Sequence, residues 1–473
     1  MKSLKKNFIY TAIYQILAIL IPLITTPYLS RILGAEELGK YSYAYSIAYY
    51  FVLFIKLGLD NYGNRSIAYV RQDKEKMSRF FCEIYSLQLI NAVIFILLYA
   101  VYCAFFSNNN ILSYILFGYV LSSMFDITWL FYGIEEFKIT VSRNIIIKII
   151  STMCIFIFVK SRNNIFEYTF IISAGCLISQ LAVWPFLRNR ISFTKVNLRD
   201  IFRHLKPNLV LFIPVIAISL YNIMDKIMLG NMSTNTELGY YDSSEKILQI
   251  PIALITALGT VMMPRMSNLR ANNEKKQVTA IIENSIRVAM FLSCGMSFGI
   301  MAVSKTFVPW YYGMDFKPCI VLFLVLLPSC IFLAFANVIR TQYLIPYEKD
   351  TVYICGVFSG AVVNLVVNYL LIPKFQAMGA AVGTLLAEVM VCVVQAYLVK
   401  DKLQMTSYIK DAFEFIIPGI IMFVFVYNID FREFNSIFNL FLQVAMGILI
   451  YVIIVFLISS DFREFIKKGV NSH

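Results

Sequence analysis

The sequence predicts an all-α integral membrane protein of about fourteen transmembrane helices, in two parallel-repeat six-helix lobes followed by two C-terminal helices. Three observations predict it. Of the 473 residues, 59% are hydrophobic and 15% charged, against roughly 45–50% and about 25% in an ordinary soluble domain. Apolar runs of about 20 residues, the length that crosses a bilayer, recur along the whole chain. A short motif also returns in the corresponding hairpin of each half. A soluble multidomain enzyme is excluded at once, because no long polar linker divides the chain into pieces small enough to bury so much apolar surface.

The apolar stretches fall at about residues 8–30, 41–59, 82–106, 111–131, 144–159, 168–187, 209–230, 246–264, 286–303, 319–339, 352–372, 378–399, 413–428 and 438–459. The first follows Lys2, Lys5 and Lys6 but meets no small-residue cleavage site, so it reads as a retained helix and not as a signal peptide. Pro22 and Pro27 in the first span, Pro214 in the seventh and Pro251 in the eighth each remove a helical hydrogen bond and bend the helix. Trp129, Trp184 and the Trp310-Tyr311-Tyr312 cluster read as interfacial anchors.

Orientation follows from charge. Assigning the N-terminus and alternate loops to one face collects 28 of the 41 Lys and Arg residues, the other face holds 8, and five lie in or at the edges of spans. The positive-inside rule makes the first face cytoplasmic and puts both termini inside. The net charge of +13 is thus a topology signal, and nucleic acid is not expected as a partner.

The loops exclude more. The longest gap between spans is about 22 residues, too short for a nucleotide-binding domain, and there is no G-x-x-x-x-G-K-[ST] loop. Histidine occurs only at His204 and His473, and the nine cysteines form no C-x-x-C pair, so no metal site is expected. Of the two glycosylation sequons, Asn64-Arg65-Ser66 falls on the inner face and is accidental. A membrane glycosyltransferase or polymerase stays open as an alternative, weakened by outer loops as short as residues 107–110 and 373–377.

The repeat sets the lobes. Glu37-Leu38-Gly39-Lys40-Tyr41 follows the first span, and Glu237-Leu238-Gly239-Tyr240-Tyr241 follows the seventh. Six spans is an even shift, so the halves share one orientation, the parallel type of repeat from which transporters build two lobes around a pathway. The expected organisation is an N-lobe at 1–206, a C-lobe at 207–400, and two further helices with a tail at 401–473, working by alternating access.

Ionisable residues inside spans are costly unless they face a polar cavity or a partner. Lys56, Asp60, Lys148 and Arg287 lie near predicted cytoplasmic ends, where cavity and interface are both open to them. Asp126 is deeper in the fourth span, and Glu388 sits near the middle of the twelfth as either a lumen-facing carboxylate or a buried structural acid. Asp225-Lys226 and Glu245-Lys246 form either a local ion-pair cluster or a contact for an anionic group. Gly356, Gly360, Asn364 and Asn368 make a stripe of one face of the eleventh span that is small and then polar.

Several stretches resemble the bacterial polysaccharide-biosynthesis flippases of the multidrug/oligosaccharidyl-lipid/polysaccharide exporter superfamily. They are Pro27-Tyr-Leu-Ser-Arg31-Ile-Leu-Gly34 with Glu37-Leu-Gly39, Trp129-Leu-Phe-Tyr-Gly133-Ile-Glu135, Asp225-Lys226-Ile-Met-Leu-Gly230 with Leu238-Gly-Tyr-Tyr-Asp-Ser-Ser-Glu-Lys246, and Asn364, Asn368, Ile372-Pro373, Gly379-Ala-Ala and Glu388 in order. The resemblance covers about residues 5–400. It implies a MATE-like fold and a flippase, not an enzyme, that moves undecaprenyl-diphosphate-linked oligosaccharide repeat units from the cytoplasmic to the outer leaflet of the bacterial cell (inner) membrane. Its implied partners are the lipid-linked substrate, membrane lipids, a polysaccharide polymerase and a chain-length protein. No cofactor is implied beyond a proton or sodium gradient. By position, Arg31, Lys56 and Lys148 are expected at the diphosphate, with Lys226 and Lys246 as further anion contacts. Asn364 and Asn368 are expected at the sugar, and Asp126 and Glu388 in ion coupling. The alternative is a cation-coupled multidrug exporter of the same superfamily.

Overall fold

A computed structural model describes residues 2–107, 110–188, 190–272, 274–429 and 435–459; most side chains before residue 20 and those of Asn110, Tyr221 and Lys275 are outside that description. Lys2, Lys5, Lys6 and the tail carrying His473, which anchor the predicted inner placement of the termini, lie outside the described side chains. Backbone groups in hydrocarbon must be paired within their own segment, and every regular element among the described residues is helical.

The chain falls into two compact units, Met1–Ser219 and Leu220–His473. The first contains α1 (Lys2–Lys56), α2 (Leu59–Val70), α3 (Lys74–Phe105), α4 (Asn110–Ile115), α5 (Phe117–Ser122), α6 (Thr128–Gly133), α7 (Phe137–Phe158), α8 (Ile165–Leu181), α9 (Leu198–Phe202) and most of α10 (Leu205–Asn222). The second contains α11 (Met224–Met232), α12 (Asn235–Ala271), α13 (Lys275–Tyr311), α14 (Cys319–Leu326), α15 (Ser329–Ile339), α16 (Asp350–Phe375), α17 (Ala377–Val399), α18 (Met405–Tyr427) and α19 (Ser436–Ile458). The sequence reading opens the second lobe at 207, whereas α10 groups with the first unit as far as Ser219. The two last helices, α18 and α19, pack on α13.

Twelve described stretches are long and apolar enough to cross a membrane. The first of them, Leu20–Val70, holds two predicted spans, because α1 is broken at Gly34 (φ 74°, ψ 173°). No atom lies within 4 Å of where a Cβ would stand there, so the left-handed backbone and not crowding selects glycine. Met405–Tyr427 holds the thirteenth predicted span; Lys410, Asp411 and Glu414 in its first half keep it outside the twelve.

Both α1 and α12 run helically through their prolines, and the break in α1 is at Gly34. Two expectations are corrected. Trp129 is no interfacial anchor: it is fully buried on Phe81 and donates to Gln88 Oε1 at 3.2 Å. Tyr311 and Tyr312 are also buried, the latter donating to Ser243 O at 2.6 Å, which leaves Trp310 as the exposed member of its cluster. An indole N–H or phenol O–H reaches a partner inside as readily as at the interface, and neighbouring rings decide where it sits.

The fourth span is interrupted. Asp126 has extended dihedrals (φ −76°, ψ 102°) between the 3-10 turn Ser123–Phe125 and α6. Gln88 Nε2 from α3 donates to the carbonyls of Ser123 (2.7 Å) and Asp126 (2.9 Å), satisfying groups the interruption frees. Below it, Gly63 and Gly133 let α2 and α6 close on each other: a Cβ on Gly63 would lie 2.7 Å from the Trp129 ring, and one on Gly133 would lie 2.7 Å from Ile67.

Candidate functional site

The interruption at Asp126 positions a polar cavity. With its backbone extended, the Asp126 carboxylate turns to the N-terminus of α6, where Oδ1 accepts the Thr128 N–H at 3.0 Å and the Thr128 hydroxyl. Its other oxygen is 2.7 Å from Lys56 Nζ, and Lys56 also meets Asp60 at 2.8 Å one helical turn on. Lys56 closes α1, and the chain turns there through Leu57 (φ 49°) into α2. A cavity of about 570 Å³ opens on this group, entirely within the first unit.

Its wall is mixed. Lys56, Asp60, Asp126 and Lys148 supply charge, Asn61, Asn144 and Gln180 supply amides, and Tyr49, Tyr119, Ser122, Ser123 and Ser179 supply hydroxyls. Buried Arg143 holds the wall from behind, its Nε and Nη2 donating to Asn144 Oδ1 (3.1 and 2.8 Å) and its Nη1 to Gln180 Oε1 (3.0 Å). Tyr45 and Tyr119 stack with ring centroids 4.9 Å apart, and the Tyr45 hydroxyl donates to that of Tyr119 at 3.3 Å. Such a wall combines cations for an anionic group with amides and ring faces for a polyhydroxylated one.

Of the expected anion contacts, Lys56 and Lys148 meet in this cavity, together with Asp126. Arg31, exposed on the first limb of α1, is not among its lining residues. Lys226 and Lys246 instead form a compact cluster in the second unit: Lys226 Nζ lies 2.7 Å from Asp242 and 2.8 Å from Glu245, and Lys246 Nζ lies 2.8 Å from Asp242.

Asn364 and Asn368 are fully buried and turn to a carboxylate. Asn368 Nδ2 donates to Asp225 Oδ1 at 2.6 Å and to Asn364 Oδ1 at 3.2 Å; Tyr241 Oη and Thr384 Oγ1 each donate to Asp225 Oδ2 at 2.7 Å. Four helices converge here, α11, α12, α16 and α17, and Gly383 makes room, since a Cβ on it would stand 2.0 Å from Asn368 Oδ1. Glu388, on α17 about one turn beyond Thr384, is 7% exposed.

Sequence reasoning missed Gln88, Arg143, Asn144 and Gln180 around the first cavity, and Tyr241 and Thr384 around Asp225. Most are uncharged side chains in apolar helices, where one amide or hydroxyl resembles any other until the helices are placed. The signal available was polarity itself, because an amide in hydrocarbon needs a partner.

The comparisons agree with this architecture. Residues 4–270 match the family model described as polysaccharide biosynthesis protein, and residues 146–430 match the model described as lipid II flippase MurJ. A putative O-antigen transporter of Escherichia coli (strain K12) is 23% identical over 394 residues, covering 82% of this chain and 95% of the relative. The solved lipid II flippase MurJ in its inward closed conformation superposes with a TM-score of 0.74 at 16% identity, over 97% of this chain and 99% of that one. An inward-facing multidrug resistance MATE transporter superposes at 0.59 with 11% identity, over 83% and 99%. The fold is therefore MATE-like, and the chain belongs to the polysaccharide biosynthesis protein family, the polysaccharide and oligosaccharide flippases of the multidrug/oligosaccharidyl-lipid/polysaccharide exporter superfamily.

Proposed function

We propose that this chain is a flippase that carries undecaprenyl-diphosphate-linked oligosaccharide repeat units from the cytoplasmic to the outer leaflet by alternating access, for polysaccharide assembly. The observation that carries the reading is the first-unit cavity, where Lys56 and Lys148 share a wall with amides, serines and tyrosines. A diphosphate taken into a low-dielectric space needs cations facing it, and a sugar needs amides and hydroxyls in water's place. In this reading Lys148 and Lys56 meet the diphosphate together, Lys56 exchanging a carboxylate for phosphate. A cationic drug entering the same space meets two lysines, and the aspartates there, Asp60 and Asp126, are both engaged by Lys56, which disfavours the multidrug-exporter alternative.

The working location in this reading is the bacterial inner membrane with both termini cytoplasmic, beside a polysaccharide polymerase and a chain-length protein. A proton or sodium gradient drives the cycle, with Asp126 and Glu388 as coupling groups and Asp225 added to them. Asp225 is a fully buried carboxylate whose described partners are all neutral donors, so its charge is met there by hydrogen bonds and not by a described cation.

The test is the lipid-linked saccharide pool of cells with and without the chain, its leaflet read by a membrane-impermeant sugar-modifying probe. Complete units held on the cytoplasmic side in the absence of the protein are the expected result, with Lys148→Glu behaving like the deletion. Units lacking one sugar assign the chain to the transferases, and an unchanged pool moves it to drug or metabolite export.

A further inference from the structure

The cavity has an apolar neighbour. A groove of about 560 Å³ lies along α7 and α8 of the same unit, and Ile147, Ser151 and Gly175 line both volumes. The partition between them is one side chain thick. A Cβ on Gly175 would stand 2.7 Å from Ser151 Oγ and 3.7 Å from Ile147 Cγ2, so the two helices touch through nearly the smallest groups available. Beside this contact the Thr152 hydroxyl donates to Lys148 O at 2.7 Å, the kind of bond from a side chain to its own helix that competes with the backbone ladder.

The two sides of the partition differ in chemistry. Lys148 faces the cavity three residues before Ser151, while Ile150, Phe158, Phe166 and Phe170 line the groove. The single charged residue among the groove's lining is Glu167, near the outer end, where Asn164 Nδ2 donates to it at 3.0 Å. An anionic head is thus attracted at the Lys148 end and repelled at the Glu167 end. From Lys148 to Phe158 α7 rises by about 15 Å, close to half of a hydrocarbon core about 30 Å thick, which is the depth of one leaflet.

We propose that this groove seats the isoprenoid chain of the lipid-linked substrate, the chain crossing the partition at Ser151 and Gly175 while its diphosphate lies in the cavity at Lys148. The inference rests on the flippase reading and adds to it the path of the tail. It also gives the small residues at the partition a purpose: a head and a tail of opposite solubility are held on two sides of one helix, and the connection between them needs a narrow gap.

The test places photoreactive p-benzoylphenylalanine at position Phe170 in the groove and, separately, at Phe441 on α19. The two are equally open at 62% and 65% exposure, and Phe441 borders neither volume. The purified full chain in nanodiscs is illuminated with radiolabelled undecaprenyl diphosphate, whose saturable binding is measured in parallel. The expected result is an adduct at 170 about tenfold above that at 441, competed by unlabelled diphosphate and lowered about tenfold by Gly175→Leu, which thickens the partition. Saturable binding with equal adducts at both positions overturns the groove and leaves the flippase reading standing. Absence of saturable binding overturns both. Should Gly175→Leu fail to fold, the ratio between the two positions in the unaltered partition still decides.

Discussion

The first and second units treat a buried carboxylate in opposite ways. In the first, Asp126 is paired with Lys56, accepts the Thr128 N–H at the start of α6, and the pair opens on a cavity of about 570 Å³. In the second, Asp225 is ringed by the neutral donors Tyr241, Asn368 and Thr384, and the nearby lysines Lys226 and Lys246 are engaged by Asp242 and Glu245. A cation that faces open space can exchange partners with a ligand. A fully buried carboxylate whose oxygens are filled by donors is closed to a sugar. In the proposed reading, recognition belongs to the first unit and charge coupling to the second.

The comparison breaks most readily at Asp225. Asp225→Ala removes the shared acceptor of three buried donors and is expected to lower stability by about 3 kcal/mol, read as a lower unfolding temperature in detergent. Asp225→Asn keeps an acceptor and is expected to fold while losing dependence on the ion gradient, and gradient-driven transport by that variant would remove Asp225 from coupling. Asp126→Ala comes next, at about 2 kcal/mol, because the Thr128 N–H and hydroxyl lose their acceptor while Lys56 keeps Asp60. Asp126→Asn retains that acceptor and should fall by roughly half as much. Equal losses in the two variants would show that the ion pair, not the bonds from Thr128, holds the interrupted helix.

Smaller effects sharpen the contrast. Gly383→Ala drives a Cβ to 2.0 Å from Asn368 Oδ1 and is expected to cost about 1–3 kcal/mol. Gly299→Ala, whose nearest neighbour is Met422 Cε at 3.8 Å, should stay within about 0.5 kcal/mol. Lys148→Ala is expected to leave unfolding unchanged to about 0.5 kcal/mol while the outer-leaflet pool of lipid-linked saccharide drops about tenfold. A stability loss as large as that of Asp126→Ala would make Lys148 a structural residue.

The membrane frame was legible in the sequence because apolar length is a one-dimensional property. Lys56, Lys148 and Asp126 were each legible as candidates because charge in hydrocarbon stands out, the lysines for an anion and the aspartate for coupling, and all three line one cavity. Their pairing was not, since Lys56 and Asp126 lie 70 residues apart and meet only because Asp126 leaves the helical conformation. Asn364 and Asn368 were legible as a polar stripe but not as neighbours of Asp225, which lies more than 130 positions earlier. Trp129 was misplaced because its partner Gln88 comes from another helix.

That indole has a practical use. The chain holds three tryptophans, and Trp184 and Trp310 stand outside the fully buried set. With Trp184→Phe and Trp310→Phe, the remaining fluorophore hangs from the Gln88 amide that also clasps the Asp126 carbonyl. Its emission maximum becomes an optical gauge of the interrupted helix, so that a ligand drawing Lys56 away from Asp126 can be followed by titration without any label on the ligand.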